Sequence, residues 1–396
     1  MTDSLRARMD TALIGPDSRL SGAQQALLAD LQRLEREQAA HVPGDAPLDP
    51  SRRRRVDLTL GEMWAQPQAI AETLEAEASA IRETGRAFAA RHLRRLYIVG
   101  CGDSLSAAFA VRPLFERLLG IPCEAVQALD YAQYLYRNTD DHTAVIAISS
   151  SGVTPRTVEA MLRGRSLGAF TVGVSNTRES ALLREPDLGL YVHATRRGWP
   201  TQASTAAMAV LYRLAVEAAR AQGVDCASVE RGLASIPDAV SQVLRNTDSI
   251  MAELGQALAA RPVHLFAGGG PSWATAQFGA AKVRECSPAH AIAVHLEEFH
   301  HYNSQKAGDP LFLVAPMGPS LPRAIDTARV GKAWGGLVYA VTESDNAALD
   351  GTSDLVVKVP PVEEDLSPLI FVVPVQLYAY HLAMARFASA ETEGRA

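Results

Sequence analysis

The sequence Lys282-Val283-Arg284-Glu285 sets an ammonium and a carboxylate three positions apart, and on a helix those two positions share a face. On an exposed helix this would be an ordinary surface ion pair worth a few tenths of a kcal/mol. This helix, however, begins at the glycine-rich run Gly268-Gly269-Gly270, so the same face could point into a cleft. A second constellation, Ser149-Ser150-Ser151-Gly152-Val153-Thr154-Pro155, follows an apolar strand and leads into a helix. Hydroxyls, backbone N–H groups and a helix N-terminus together suit a phosphate dianion. The plainer alternative is a serine-rich loop whose hydroxyls only cap the helix, with Thr154 as N-cap and Pro155 as its first residue. A third, Gly100-Cys101-Gly102-Asp103-Ser104, also stands between strand and helix, where α/β sheets take ligands. It does not fit a dinucleotide site, because the third glycine of GxGxxG would fall on Leu105 and no ribose-binding acid closes the next strand. The cluster His290, His295, Glu297, Glu298, His300 and His301 lacks the spacing of a helical HExxH site, so no metal is expected. His300 and His301 cannot both face one site on a regular element.

Positioning these groups requires a scaffold, and its grammar is visible. LYIVG (96–100), CEAVQA (123–128), TAVIAIS (143–149) and FTVGVS (170–175) alternate with helix-like stretches such as 104–119 and 154–166. The alternation returns after a helical connector at about 203–259, with VHLFAG (263–268), AHAIAVH (289–295), LFLVAP (311–316) and LVYAVT (337–342). Such alternation predicts α/β lobes, each a parallel sheet flanked by helices in three layers. Gly100, Gly102 and Ser104 recur 168 positions later as Gly268, Gly270 and Ser272, and a constant offset over some thirty residues indicates a duplicated unit. In the second copy the serine loop is replaced by Pro316-Met317-Gly318-Pro319, so only the first lobe is expected to hold a phosphate. Residues 56–92 read as an amphipathic helical layer. Residues 1–56 read as an appendage and linker, with a polar helix from Gly22 to His41, a Pro/Asp-rich segment at Pro43–Pro50 and the run Arg52–Arg55 as a solvated basic face. The expected division is 1–56, then lobes at 57–224 and 225–396.

Composition narrows the function classes. The chain has 396 residues, 47% of them hydrophobic, and a net charge of −6 without a basic footprint, which argues for globular lobes with small-molecule or subunit partners, not nucleic acid or a membrane surface. Its start carries no apolar leader and no later segment reads as a membrane span, so the cytoplasm is the expected location. Four scattered cysteines form no CxxC pair and are expected to be reduced thiols.

In combination these motifs resemble the SIS (sugar isomerase) family. The likeness is to double-SIS chains such as the isomerase domain of glucosamine-6-phosphate synthase, AgaS-type aminosugar deaminase/isomerases and fructosamine-6-phosphate deglycases. EMWAQPQAI (62–70) is similar to the family's first helix, GCGDS to its CGTS loop, SSSGVT (149–154) to its SQSGET loop, and QASTAA (202–207) to its VASTK segment. AAKVRECSPAHAIAVHLEEFHH (280–301) is similar, without a gap, to ALKLKE…HAEA…ELKH.

The resemblance implies an enzyme in which Glu285 is the general base moving a proton between C1 and C2, Lys282 the active-site lysine and His301 the ring-opening histidine. It implies substrate and phosphate contacts from Cys101, Gly102, Asp103, Ser104, Ser149, Ser150, Ser151 and Thr154, with Gln202 and Ser204. It also implies no cofactor, and a homodimer with shared active sites in which His301 comes from the neighbouring subunit. Departures are instructive. Thr2 follows Met1 where a glutaminase would carry cysteine, and 56 residues precede the first lobe, so no glutaminase activity is expected on this chain. The end, ARFASAETEGRA, has no counterpart to the family's tail lysine, Ala206 replaces the VASTK lysine and Tyr302 the glycine after the ELKH histidine. The expected activity is therefore a phosphosugar isomerase or aminosugar-phosphate deaminase, with a deglycase or a non-catalytic sugar-phosphate sensor as alternatives.

Overall fold

Short apolar runs become the strands of two parallel sheets, most of them buried, and the amphipathic segments between them become the covering helices. A computed structural model describes residues 19–39, 44–46 and 48–393. The expected helix end at His41 and the Pro43 start of the next segment lie outside the described residues.

The first sheet comprises β1 (Arg95–Gly100), β2 (Cys123–Gln127), β3 (Thr143–Ile148), β4 (Phe170–Ser175) and β5 (Leu188–Tyr191), in the order β2-β1-β3-β4-β5. The second comprises β6 (Val263–Gly268), β7 (His290–His295), β8 (Pro310–Val314), β9 (Leu337–Glu343) and β10 (Leu355–Val359), in the order β10-β9-β8-β6-β7. Read from the other edge, the second order repeats the first, and every pairing is parallel. The duplicated α/β architecture expected from the constant offset is therefore present. Both orders reverse direction between the first and third strands of the lobe, the switch point at which such sheets bind ligands.

Before the first sheet run α1 (Gly22–Ala39), α2 (Pro50–Trp64), α3 (Gln66–Ala76) and α4 (Ala78–Ala90). Around the sheets lie α5 (Asp103–Leu119), α6 (Pro155–Ser166), α7 (Gln202–Ala221), α8 (Ala227–Ala257), α9 (Ser272–Cys286), α10 (Leu321–Ala333) and α11 (Ser367–Glu393). The expected layer at 56–92 is thus three consecutive helices, and the first of them runs through position 56. The connector at 203–259 is two helices, parted at Gly223, whose φ of +82° no continuing helix adopts. Strands β5 and β10 carry no expectation, because LGLY and LVVKV are short edge strands that are only partly buried.

Among the described residues one helix, within Glu364–Glu393, is long and apolar enough to cross a membrane by length and composition, although Gln376, His381 and Arg386 interrupt its apolar run. Most of that stretch is buried inside the protein, where α11 packs along α8 and α9. A helix apolar all round is what a core position between two helical layers requires.

The main core continues from the first lobe into the second, with α5 against α9 between them. Phe88 of α4 is fully buried and meets Phe170 edge-to-face at 5.8 Å, while the Arg91 guanidinium lies 3.8 Å from the Phe170 ring. Phe88→Ala is expected to lower stability by about 3–5 kcal/mol, read from the urea unfolding midpoint.

Candidate active site

Two loops leave adjacent strands at the switch point of the first lobe. Gly100-Cys101-Gly102 ends β1 and turns into α5, with Gly102 at φ +55°. Ser149–Thr154 follows β3 and turns into α6. Thr154 occupies the N-cap position and Pro155 the first helical position, but the Thr154 hydroxyl does not bond the helix end. It is turned into the loop, 2.8 Å from Ser149 Oγ, which lies 3.3 Å from Ser151 Oγ and accepts the Gly152 N–H at 3.1 Å. These hydroxyls are therefore gathered on one another instead of capping α6. Gly152 has φ +66°, and a Cβ there would overlap Ser180. Ser150 donates to Asn176 Oδ1 at 2.5 Å, and Asn176 in turn donates to the Ala194 carbonyl at 3.1 Å. A water-sized cavity of about 40 Å³ lies here, lined among others by Asp103, Ser104, Ser150, Asn176 and Ser204.

In the second lobe the Lys282 side chain is fully buried. Its Nζ donates to Asp103 Oδ2 at 2.7 Å and to Glu285 Oε2, while Ser204 Oγ donates to the same Asp103 oxygen at 3.3 Å. Burial opposes the Lys282 charge, but Asp103 and Glu285 outweigh it and hold the ammonium above the ordinary lysine range. Burial also pushes Glu285 above the usual carboxylate range, with Lys282 opposing and Asp103 reinforcing that rise. A carboxylate of raised basicity beside a fixed ammonium is equipped to take a proton from carbon while the ammonium stabilises the resulting oxyanion.

The arginine run corrects the expectation of a solvated face. Arg52 is 4% exposed and donates to the Glu285 carbonyl at 3.0 Å, and the Arg55 guanidinium stacks 3.6 Å from the Trp199 ring centroid. Helix α2 thus packs on the end of the helix that carries Glu285. Glu62 of the same α2 accepts from Thr195, from the Arg197 N–H at 2.8 Å and from the Gly198 N–H at 3.1 Å.

Of the expected site residues, Asp103, Ser204, Lys282 and Glu285 come together, and Ser149, Ser151 and Thr154 form the adjoining loop. Gln202 is turned to Thr195 at 2.6 Å. The Cys101 sulfur, raised in pKa chiefly by burial, receives Thr157 and Gln127 at 3.8 Å each. Within this chain His301 is exposed and pairs with Glu297 at 3.4 Å, whereas His300 bonds Thr327 at 3.0 Å. Among the described residues no group of three acids, histidines or cysteines is arranged for a metal.

Asn176 and Glu364 were not legible beforehand. The Glu364 carboxylate lies against Gly318 so closely that a Cβ there would clash, which places an acid on the second-lobe counterpart of the serine loop. Burial raises Glu364 above the ordinary range, and Asp365 and Glu343 add to it. A larger cavity, about 430 Å³, lies behind α9 against α11 and is lined by Cys286, Ser287, Phe387 and Arg386, away from the serine loop.

The family model described as SIS domain matches twice, over residues 91–217 and 260–386. The chain belongs to the SIS family. Among curated SIS relatives, the glutamine–fructose-6-phosphate aminotransferase (isomerizing) of Thermococcus kodakarensis is 32% identical over 335 residues, 83% of this chain and 55% of the relative. The Escherichia coli K12 enzyme of the same name is 29% identical over 341 residues, 82% and 55% of the two chains. This SIS chain therefore spans about half the length of the curated relatives it matches. Among solved structures, the C-terminal domain of glucosamine-fructose-6-phosphate aminotransferase from Francisella tularensis shares the fold at TM-score 0.73 and 22% identity, covering 83% of this chain and 96% of that one. The tagatose-6-phosphate ketose/aldose isomerase of Escherichia coli shares it at TM-score 0.68 and 14% identity, covering 87% and 95%.

Removing one member of a buried charged bridge leaves the others uncompensated. Lys282→Met, which makes Asp103 and Glu285 face each other without a cation, is expected to cost about 3–5 kcal/mol at neutral pH. Glu285, already raised by burial, loses the cation that opposed that rise and binds its proton more tightly folded than unfolded, so the lost stability returns as pH falls toward the ordinary carboxylate range and declines again as pH rises. Urea unfolding of wild type and variant at about pH 5 and about pH 8 checks both the size and the sign.

Proposed function

We propose that this SIS chain is a phosphosugar isomerase or aminosugar-phosphate deaminase that moves a proton between C1 and C2 through an enediol or enaminol. The observation that carries this reading is that Lys282, paired with Glu285 on one lobe, bonds Asp103 of the other, and Asp103 lines one small cavity with Ser104 and Ser150. Ser104, Ser149, Ser151 and Thr154 hold the phosphate dianion at the N-termini of α5 and α6, and that binding energy positions the reacting carbons. Glu285 takes the proton from one carbon and returns it to the other, while Lys282 steadies the charge that develops on the neighbouring oxygen. His301, exposed on its own chain, opens the sugar ring in the site of a second subunit, so the working unit is a homodimer. The curated relatives are named for an aminotransfer to fructose 6-phosphate and one solved structure for a tagatose 6-phosphate isomerase, which supports a ketose- or aminosugar-phosphate substrate class.

NMR with fructose 6-phosphate and glucosamine 6-phosphate in D2O tests this directly. Wild type is expected to place deuterium at C1 or C2 of one of them, and Glu285→Gln to slow that exchange by about 100-fold or more. Tight binding of both sugars without exchange by wild type would instead favour a sensor. Mixing His301→Ala with Glu285→Gln subunits is expected to restore part of the exchange that each variant lacks alone; no recovery would place His301 outside a shared site.

A further inference from the structure

Asp103 stands where an ordinary phosphate loop has no use for an acid, since a carboxylate repels the dianion that the neighbouring serines would hold. Its side chain is not directed at that task. One oxygen, Oδ2, receives both Lys282 Nζ at 2.7 Å and Ser204 Oγ at 3.3 Å, so Asp103 belongs electrically to the acid/base pair of the other lobe. The similar family loop carries CGTS, with a neutral threonine at this position, so the acid is a departure of this sequence.

The geometry points to Asp103 as a positioning residue for the Glu285 base: it draws the buried ammonium into a bridge between the lobes, so that Lys282 does not neutralise Glu285 alone. This inference rests on the reading of Glu285 as the base. With Asp103 absent, one ammonium and one carboxylate would form a closed neutral pair, and the base would be a weaker proton acceptor. With Asp103 present the three groups carry a net negative charge, and Lys282 is tethered from a second direction. The bridge also ties the base to the loop holding Ser104, so the phosphate grip and the proton acceptor share one frame.

The charged and titratable groups around Glu285 come from each helix packed on it. They are Lys282 and Cys286 on α9, Asp103 on α5, and Arg52 and Arg55 on α2, with Tyr380 of α11 facing Cys286. From the sheet, His264 of β6 is bonded to Tyr378 at 2.7 Å and His290 of β7 is exposed. Among the carboxylates near Glu285, Asp103 is the one hydrogen-bonded to its ammonium partner.

The test needs no substrate. In the full chain labelled with carboxyl-13C glutamate, the Glu285 signal is assigned by its loss in Glu285→Gln and followed across pH. Asp103→Asn, and Asp103→Thr as a second variant in case the first misfolds, are expected to move the Glu285 midpoint to lower pH, because a charge that favoured protonation is gone. Asp103→Glu is expected to keep it near wild type. An unchanged midpoint in a folded Asn or Thr variant overturns the inference. Deuterium exchange into fructose 6-phosphate supplies the second arm: the acid limb of kcat should shift the same way and kcat fall about tenfold, with KM nearly unchanged. A raised KM with an unmoved acid limb would reduce Asp103 to a structural role. Exchange that survives Glu285→Gln would sink the base assignment, a result separate from the titration.

Discussion

A fully buried ammonium has to be answered by charge, and Lys282 imposes that constraint on both lobes. One answering carboxylate, Glu285, lies one turn along the same helix; the other, Asp103, is 179 residues away in sequence and opens the first helix of the other lobe. The requirement therefore fixes how α5 and α9 cross. Helix α9 is held from behind by α11 and at its C-terminal end by Arg52, so the pair is supported by packed elements instead of loops. Rigid support of this kind keeps a proton acceptor within reach of its target.

Duplication supplied two equivalent sheets, and divergence gave them different work. The first keeps hydroxyls after its third strand, where they cluster around Gly152. The second has Met317 and Gly318 there, with the Glu364 carboxylate packed on Gly318, and a resident acid repels a phosphate as effectively as the missing hydroxyls fail to bind one. The first switch point is thus the one proposed to hold the phosphate.

Much of this was legible because it is local. Apolar runs such as VHLFAG, and glycines at a constant offset, revealed the strands, the loops after them and the repeat. The Lys282–Glu285 pair was legible as a shared helix face. Asp103 was legible as a residue of the glycine loop but not as the partner of Lys282, since nothing in GCGDS announces which way a carboxylate turns, and that partner lies in another lobe. Edge strands β5 and β10 escaped notice because half-buried strands lack a continuous apolar run. The arginine run misled for a related reason: charge in sequence suggests solvent, whereas Arg52 meets a helix C-terminus and Arg55 an indole face. Helix α11 was ambiguous in principle, because a membrane interior and a protein core demand the same composition.

The stacking of Arg55 on Trp199 has a spectroscopic corollary. A cation 3.6 Å from an indole centroid perturbs the emission of that ring, and Trp199 is nearly buried beside the Glu62-held turn. Helix α2 contacts both the indole, through Arg55, and the carbonyl of Glu285, through Arg52. Displacement of α2 relative to Glu285 is therefore expected to alter the light emitted by Trp199, which would serve as an intrinsic optical gauge of the proposed base.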